Sequence, residues 1–400
     1  MTRLAARFEP VFSEIAAGAI DRETGRVLPT EAMAALARAG FGAVRVPERH
    51  GGAGASLAEL IELVMALGAA DSNVAQAFRG HLLFAERLLV AAPRDRDTWL
   101  GRIADGELVG NAQSERTPGT GISTTVTPDA SADASGDAAW TLHGDKFYTT
   151  GTLYADWTWT LATDGEQSYG VLVDTRAPGV TVTDDWDGFG QRLTGSGSAR
   201  FDQVRVPAGQ VFPSADDTVL DKVDTRVFQH LYLLATLAGI GRAALRDATA
   251  FVQARTRVYG VAGQSEPRHD AAVQIVVGNI ASLVYSAEAL VRDVTRQLEA
   301  VRADAATVSG ADPARTAVLV DDYAAVQVAQ FSAQQIVIRN VLEATNQLFE
   351  VGGASALSTG RALDRHWRNA RAIASHNPAI LRQQAVGDFV LNGTLPANPS

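Results

Sequence analysis

The sequence contains no cysteine, so disulfides, thiolate metal sites and cysteine nucleophiles are all excluded. It also lacks long apolar runs: the longest, at 231–240, falls well short of the roughly 18 residues that a membrane span requires. Near the N-terminus Arg3, Arg7 and Glu9 break up the apolar residues, leaving no apolar segment of the signal-peptide kind. A cytoplasmic protein without a membrane segment is therefore expected. Basic stripes are missing too. The formal net charge is −10 with both signs scattered, which points away from nucleic acid. No HExxH, no Gly-x-x-x-x-Gly-Lys and no metal-spaced cluster of histidines or carboxylates occurs, so no metal is expected.

What is present is a globular balance, 46% hydrophobic and 20% charged over 400 residues, enough for two or three domains. Up to about Gly110 the apolar residues recur at helical spacing, as in Leu57, Leu60, Ile61 and Val64. From Asn111 to Pro213 the pattern turns into short β-type segments at 123–127, 140–142, 157–161, 169–173 and 180–182. Long helical periods then return, with a break near Ser309 to Pro313. The expectation is an α+β, mainly α chain: a helical domain at 1–110, a β-domain at 111–213 and an antiparallel helical bundle at 214–400. Gly239-Ile240-Gly241-Arg242-Ala243-Ala244 mimics a dinucleotide fingerprint, but its flanks predict one continuous helix, so close helix packing is the better account.

Several motifs follow in order. They are Pro47-Glu48-Arg49-His50-Gly51-Gly52-Ala53-Gly54, WTLHGDKFYTTG at 140–151, GFGQRLTGSG at 188–197 and Gln347-Leu348-Phe349-Glu350-Val351-Gly352-Gly353. Near the end stand Arg365-His366-Trp367-Arg368-Asn369-Ala370-Arg371 and Ser375-His376-Asn377-Pro378. With the α, β, α order, these resemble the acyl-CoA dehydrogenase superfamily over nearly the whole chain. The resemblance implies that fold, with a C-terminal four-helix bundle. It also implies a homotetramer in which the turn at Gln347, Gly352 and Gly353 reaches the flavin of a neighbouring subunit.

Two departures from the dehydrogenases bear on function. Their last motif runs on to a carboxylate that removes a substrate proton, whereas here no Glu or Asp occurs between Asp364 and Asp388. After the first domain, a Thr-Glu-Pro-like segment is replaced by Gly110-Asn111-Ala112-Gln113-Ser114-Glu115. Asn-x-x-Ser at that place, with the two C-terminal motifs, is similar to the flavin-dependent monooxygenases of this fold, of the dibenzothiophene monooxygenase type. Thr256-Arg257-Val258-Tyr259 resembles their Thr-Arg-Pro-Trp, with Val and Tyr as departures. This resemblance implies a two-component enzyme. A separate NAD(P)H-dependent flavin reductase would supply reduced FMN, with FAD as the alternative, and O2 would form a C4a-hydroperoxide. One oxygen atom would pass to a small, largely apolar organic substrate at sulfur, nitrogen or an aromatic carbon.

The residue chemistry is compatible with that expectation. Asn377 cannot act as a base for an α-proton. His81 and His376 can donate, accept and exchange a proton near neutral pH and are, with Ser114, the candidate catalytic groups. Asn111, Ser114, Thr149, Thr150 and Asn377 offer neutral hydrogen bonds to an isoalloxazine edge, and Trp186 a stacking face. Arg257 suits a flavin phosphate because its fork of donors matches phosphate oxygens. Plainer roles stand beside these: His81 as a core residue, Asn111 and Ser114 as turn caps, Trp186 as packing. Two other functions also remain open, a dehydrogenase whose base has moved to Glu350 and a flavin-binding protein without catalysis.

Overall fold

In the computed structural model, which describes residues 3–91, 95–116, 121–129, 139–255, 266–307 and 312–396, the N-terminal part consists of helices. These are α1 (Arg3–Ala17), α2 (Ala19–Gly25), α3 (Thr30–Arg38), α4 (Leu57–Ala70), α5 (Ser72–Val90) and α6 (Arg96–Ala104). Local chemistry sets their starts. Ser56 and Glu59 form a capping box on α4, and the Asp71 carboxylate accepts the Asn73 N–H to open α5. Helix α5 is buried on nearly every side, from Ser72 to Glu86, because it lies between the β-domain and the bundle.

The middle part contains β1 (Val109–Ala112), β2 (Thr125–Pro128), β3 (Ala139–Phe147), β4 (Trp157–Thr163), β5 (Ser168–Asp174), β6 (Val180–Thr183), β7 (Ser198–Pro207) and β8 (Val211–Pro213). They pair in the order β6-β7-β3-β2-β4-β5-β8, with β1 added parallel to β4. Strand β1 begins at Val109, slightly ahead of the expected change at 111. It was invisible as a strand because all four of its residues are buried, which removes the alternation that marks an exposed strand.

The last part holds α7 (Val219–Ala254), α8 (Ala271–Ala305), α9 (Pro313–Gln347), α10 (Asp364–Ala374) and α11 (Ala379–Asn392). Gly239 and Gly241 sit within unbroken α7. A Cβ at Gly239 would come within 2.5 Å of the Met65 carbonyl oxygen, so the glycine lets α7 and α4 meet backbone to backbone. The bundle is tied to α5 by charge. Arg302 of α8 donates to Glu86 at 2.6 Å and to both oxygens of Asp224 at 2.7 Å, while Arg45 holds the other Glu86 oxygen. Burial would raise the Glu86 pKa, but the two guanidinium groups hold it below the usual value.

One described helix, α8, is long and apolar enough by length and composition to suit a membrane span, although the sequence has no unbroken apolar run of that length. It packs on α9 and α7, and leaves Ile275 and Tyr285 exposed, as α11 leaves Ile380, Leu381, Val390 and Leu391.

Candidate active site

Where the end of α10 approaches the β-domain, a cleft of about 540 Å³ opens under the loop at 186–191. Gln76 of α5, Ser114, Tyr148, Thr150, Trp186, Phe189, Gln191, Thr194 and Ser196 line it on one side, and Ala372, Ile373, Ser375 and His376 on the other. None of its lining residues is a carboxylate. The loop over it is pinned from below. The Gln191 N–H donates to Asn369 Oδ1 at 2.6 Å, and Arg368 Nη1 donates to the Phe189 carbonyl at 3.1 Å and to Glu23 at 2.7 Å.

The β-domain wall carries a chain of hydroxyls. Thr194 Oγ1 donates to the Gln191 carbonyl at 2.9 Å, Ser196 Oγ lies 2.7 Å from Thr194 Oγ1, and Thr150 Oγ1 lies 2.7 Å from Ser196 Oγ. Because Thr194 spends its proton on a carbonyl, Ser196 donates to Thr194 and Thr150 donates to Ser196. The chain therefore ends in the cleft on an acceptor lone pair of Thr150. Trp186 anchors its Nε1–H on the Gly190 carbonyl at 3.2 Å and meets Tyr148 edge to face at 5.9 Å. Two buried acceptors, Gln76 Oε1 and Gln191 Oε1, have no hydrogen-bond partner among the described residues. Such a wall fits a planar ring with N–H donors on its edge, as a reduced flavin has.

His376 retains accessible surface toward the cleft, yet the protein packed around it desolvates the imidazole. Together with the positive charge of Arg79, this pushes its pKa down to about 4, so it is neutral at pH 7. Its Nδ1 lies 3.4 Å from Asn377 Oδ1, which favours the tautomer with the proton on Nδ1 and a lone pair on Nε2. Ser114 stands at the rim, held by its neighbour. Burial would raise the Glu115 pKa, but hydrogen bonds from Lys146 at 2.5 Å, Ser123 and Thr124 hold it well below the carboxylate range and fix the segment.

Not every expected residue is brought here. His81 is not a cleft residue: its Nε2 meets the Gly42 carbonyl at 3.0 Å and its Nδ1 accepts the Val109 N–H at 3.1 Å, so both nitrogens are committed to backbone. Desolvation pushes its pKa down to about 4. Asn111 also misses the cleft. It faces α5, where a Cβ at Gly80 would come within 2.8 Å of the Asn111 Cβ, and that close approach is what brings the helix against β1. Thr149 spends its hydroxyl on the Gly197 carbonyl at 3.1 Å. Asn377 lines a small neighbouring cavity with His230 and Gln330. Arg257 lies outside the described residues.

Gln347 bonds Asn279 and Glu343, and Gly352 packs against the Phe251 ring. Phe251 is twenty-one residues beyond His230 on α7, about 30 Å at 1.5 Å per residue, and His230 is the α7 residue that senses His376. The 347–353 turn is therefore remote from this chain's own cleft. Glu350 is exposed beside it.

Sequence reasoning missed Gln76, Tyr148, Gln191, Thr194 and Ser196. Tyr148 and Gln191 adopt left-handed backbone, at φ 61° and 53°, which no local residue pattern signals. Non-glycine residues held there cost energy and gather at functional sites.

The chain is similar to known proteins along most of its length. The acyl-CoA dehydrogenase N-terminal domain matches residues 7–107, and the acyl-CoA dehydrogenase C-terminal domain matches residues 231–379. The dibenzothiophene monooxygenase of Rhodococcus qingshengii is 26% identical, over 95% of this chain and 91% of that protein. A probable FMNH2-dependent monooxygenase, SfnC, of Pseudomonas putida is 26% identical, over 96% of this chain and 93% of its own length. Among solved structures, FMN-bound TdsC from Paenibacillus sp. A11-2 superposes with a TM-score of 0.87 at 25% identity, covering 100% of this chain and 99% of that one.

Proposed function

The chain belongs to the acyl-CoA dehydrogenase family, and within it we propose a flavin-dependent monooxygenase. The observation that carries this reading is the cleft itself. Where a dehydrogenase needs a carboxylate to take an α-proton, this cleft offers neutral His376 and hydroxyls, and none of its lining residues is acidic. Exposed Glu350 does not line it.

Reduced FMN, when bound, supplies two electrons and activates O2, so that one oxygen atom enters the substrate and the other leaves as water. The chain's own groups do the rest. Thr150 would offer its lone pair to the ring edge, and Trp186 and Ser114 would flank the ring. His376 keeps its proton on Nδ1 and presents Nε2 to take up or return a proton beside the reacting oxygen. The pinned loop at 186–191 would limit water in the cleft, which disfavours wasteful release of hydrogen peroxide. FMNH2 dependence in a relative that spans nearly the whole chain supports a separate reductase as the source of reduced flavin. A homotetramer would bring the remote turn at Gln347, Gly352 and Gly353 to a neighbour's cleft, covering the exposed apolar side chains of α8 and α11. The cytoplasm, where such a reductase works, is the location we assign.

The test is a single turnover of photoreduced FMN bound to the protein and mixed with oxygen, followed by hydrogen peroxide release. Binding to the native protein slows peroxide release by about tenfold or more relative to free flavin, and His376→Ala returns most of that rate. Release as fast as from free flavin in both proteins, or bleaching of bound flavin by an acyl-CoA, overturns the reading.

A further inference from the structure

Arg79, on α5, is 2% exposed, and its Nε and Nη1 have no hydrogen-bond partner among the described residues. Other deeply buried cations are matched: Arg302 to Glu86 and Asp224, Arg365 to Asp247, Lys146 to Glu115. The segments outside the described residues contain only two acids, Asp133 and Asp137, both in the connection between β2 and β3. Burial lowers the Arg79 pKa to about 10, which leaves the guanidinium charged at neutral pH.

Its position is specific. Gln76, one turn earlier on the same helix face, lines the cleft with an unpartnered amide oxygen. The Arg79 charge acts on both His376 and His230, and buried His230 likewise has an unpartnered Nδ1. A buried charge without a counter-ion costs several kcal/mol, and folds keep such groups paired. Among the described residues no carboxylate pairs with Arg79, which leaves the balancing charge to a ligand.

We propose that Arg79 binds the acidic group of the substrate, so that this protein acts on a small organic anion, a carboxylate, sulfinate or sulfonate with an apolar body. The proposal rests on the monooxygenase reading for what happens to that anion, but not for its binding. The β-domain wall of Thr150, Thr194 and Ser196 is neutral and suits the flavin edge. The cation stands on α5, one turn from the cleft residue Gln76. A guanidinium fork matches the paired oxygens of such a head group.

Binding is measured calorimetrically on the full-length protein with reduced FMN, without oxygen, using acetate, butyrate, benzoate and benzenesulfinate, each against its uncharged amide or sulfone. The anions bind about tenfold or more tightly than their neutral partners, as expected for a charge-assisted hydrogen bond. Arg79→Met abolishes that preference, Arg79→Lys retains part of it, and neither changes the affinity for reduced FMN more than about twofold. The melting temperature of Arg79→Met is equal to or above that of the native protein. No charge preference in the native protein overturns the proposal. So does an Arg79→Met variant that loses FMN affinity while keeping the anion preference, which would assign the cation to the flavin. A drop of several degrees in that variant's melting temperature would make Arg79 a structural residue. Because the assay needs no turnover, its failure is read separately from a failure of oxygen transfer.

Discussion

Arg302 and Arg79 are both buried, on α8 and α5, and the fold treats them in opposite ways. Arg302 is enclosed by Glu86 and Asp224, with the Tyr323 hydroxyl donating to Asp224 at 2.9 Å, and despite desolvation its charge is held more firmly than in water. Arg79 has desolvation offset only in part, by Tyr232, and its pKa falls. The difference separates a clamp that holds domains together from a charge held ready for something that is not protein. Burial alone does not reveal which is which; the partners do.

The comparison breaks most visibly at the clamp. Arg302→Ala leaves buried Asp224 without a counter-charge and Glu86 with Arg45 alone, and lowers stability by about 3–5 kcal/mol, read as a shift in the urea midpoint. If Arg79→Met cost as much, the two arginines would play the same part. Next comes His81, which contrasts with His376 as Arg302 does with Arg79. His81→Gln loosens the hold on Val109 and Gly42 at a cost of about 1–3 kcal/mol, while peroxide release in single turnover stays native. Acid gives a smaller effect. The folded-state pKa of His81, about 4, lies below its ordinary 6.5, so between those values the unfolded chain binds a proton that the folded one refuses. Stability therefore falls as pH drops from 6.5 towards 4, by up to about 1.4 kcal/mol per pH unit from this residue, and His81→Gln flattens the slope by one proton. Denaturation midpoints across that range check it. The smallest change is the stability of Arg79→Met itself, zero or slightly positive.

These contrasts also mark what a linear sequence can reveal. The α, β, α order was legible because helical and alternating periods differ over long stretches. His376, Ser114 and Thr150 were legible because they fall in motifs, and Trp186 as an aromatic just ahead of one; all four line the cleft. His81 was misplaced by helix geometry. It follows Arg79 by two residues, about 200° around α5, so its place in the sequence does not say which face of the helix it occupies. Gln191 and Ser196 depended on a hydroxyl chain and a left-handed turn that exist only once β3, β7 and α10 have come together. Arg79 looked ordinary in sequence, since its lack of a partner is a property of three dimensions.

The pinned loop at 186–191 bears on traffic. Its bonds to Asn369, Arg368 and, through Arg368, to Glu23 are made during folding, so the opening has its width before any cofactor arrives. On the proposed reading, a flavin entering reduced and departing oxidised would meet a ready berth rather than one assembled around it, with little ordering required on arrival. Exchange would then be quick in both directions, as the proposed supply of reduced flavin by a separate reductase requires.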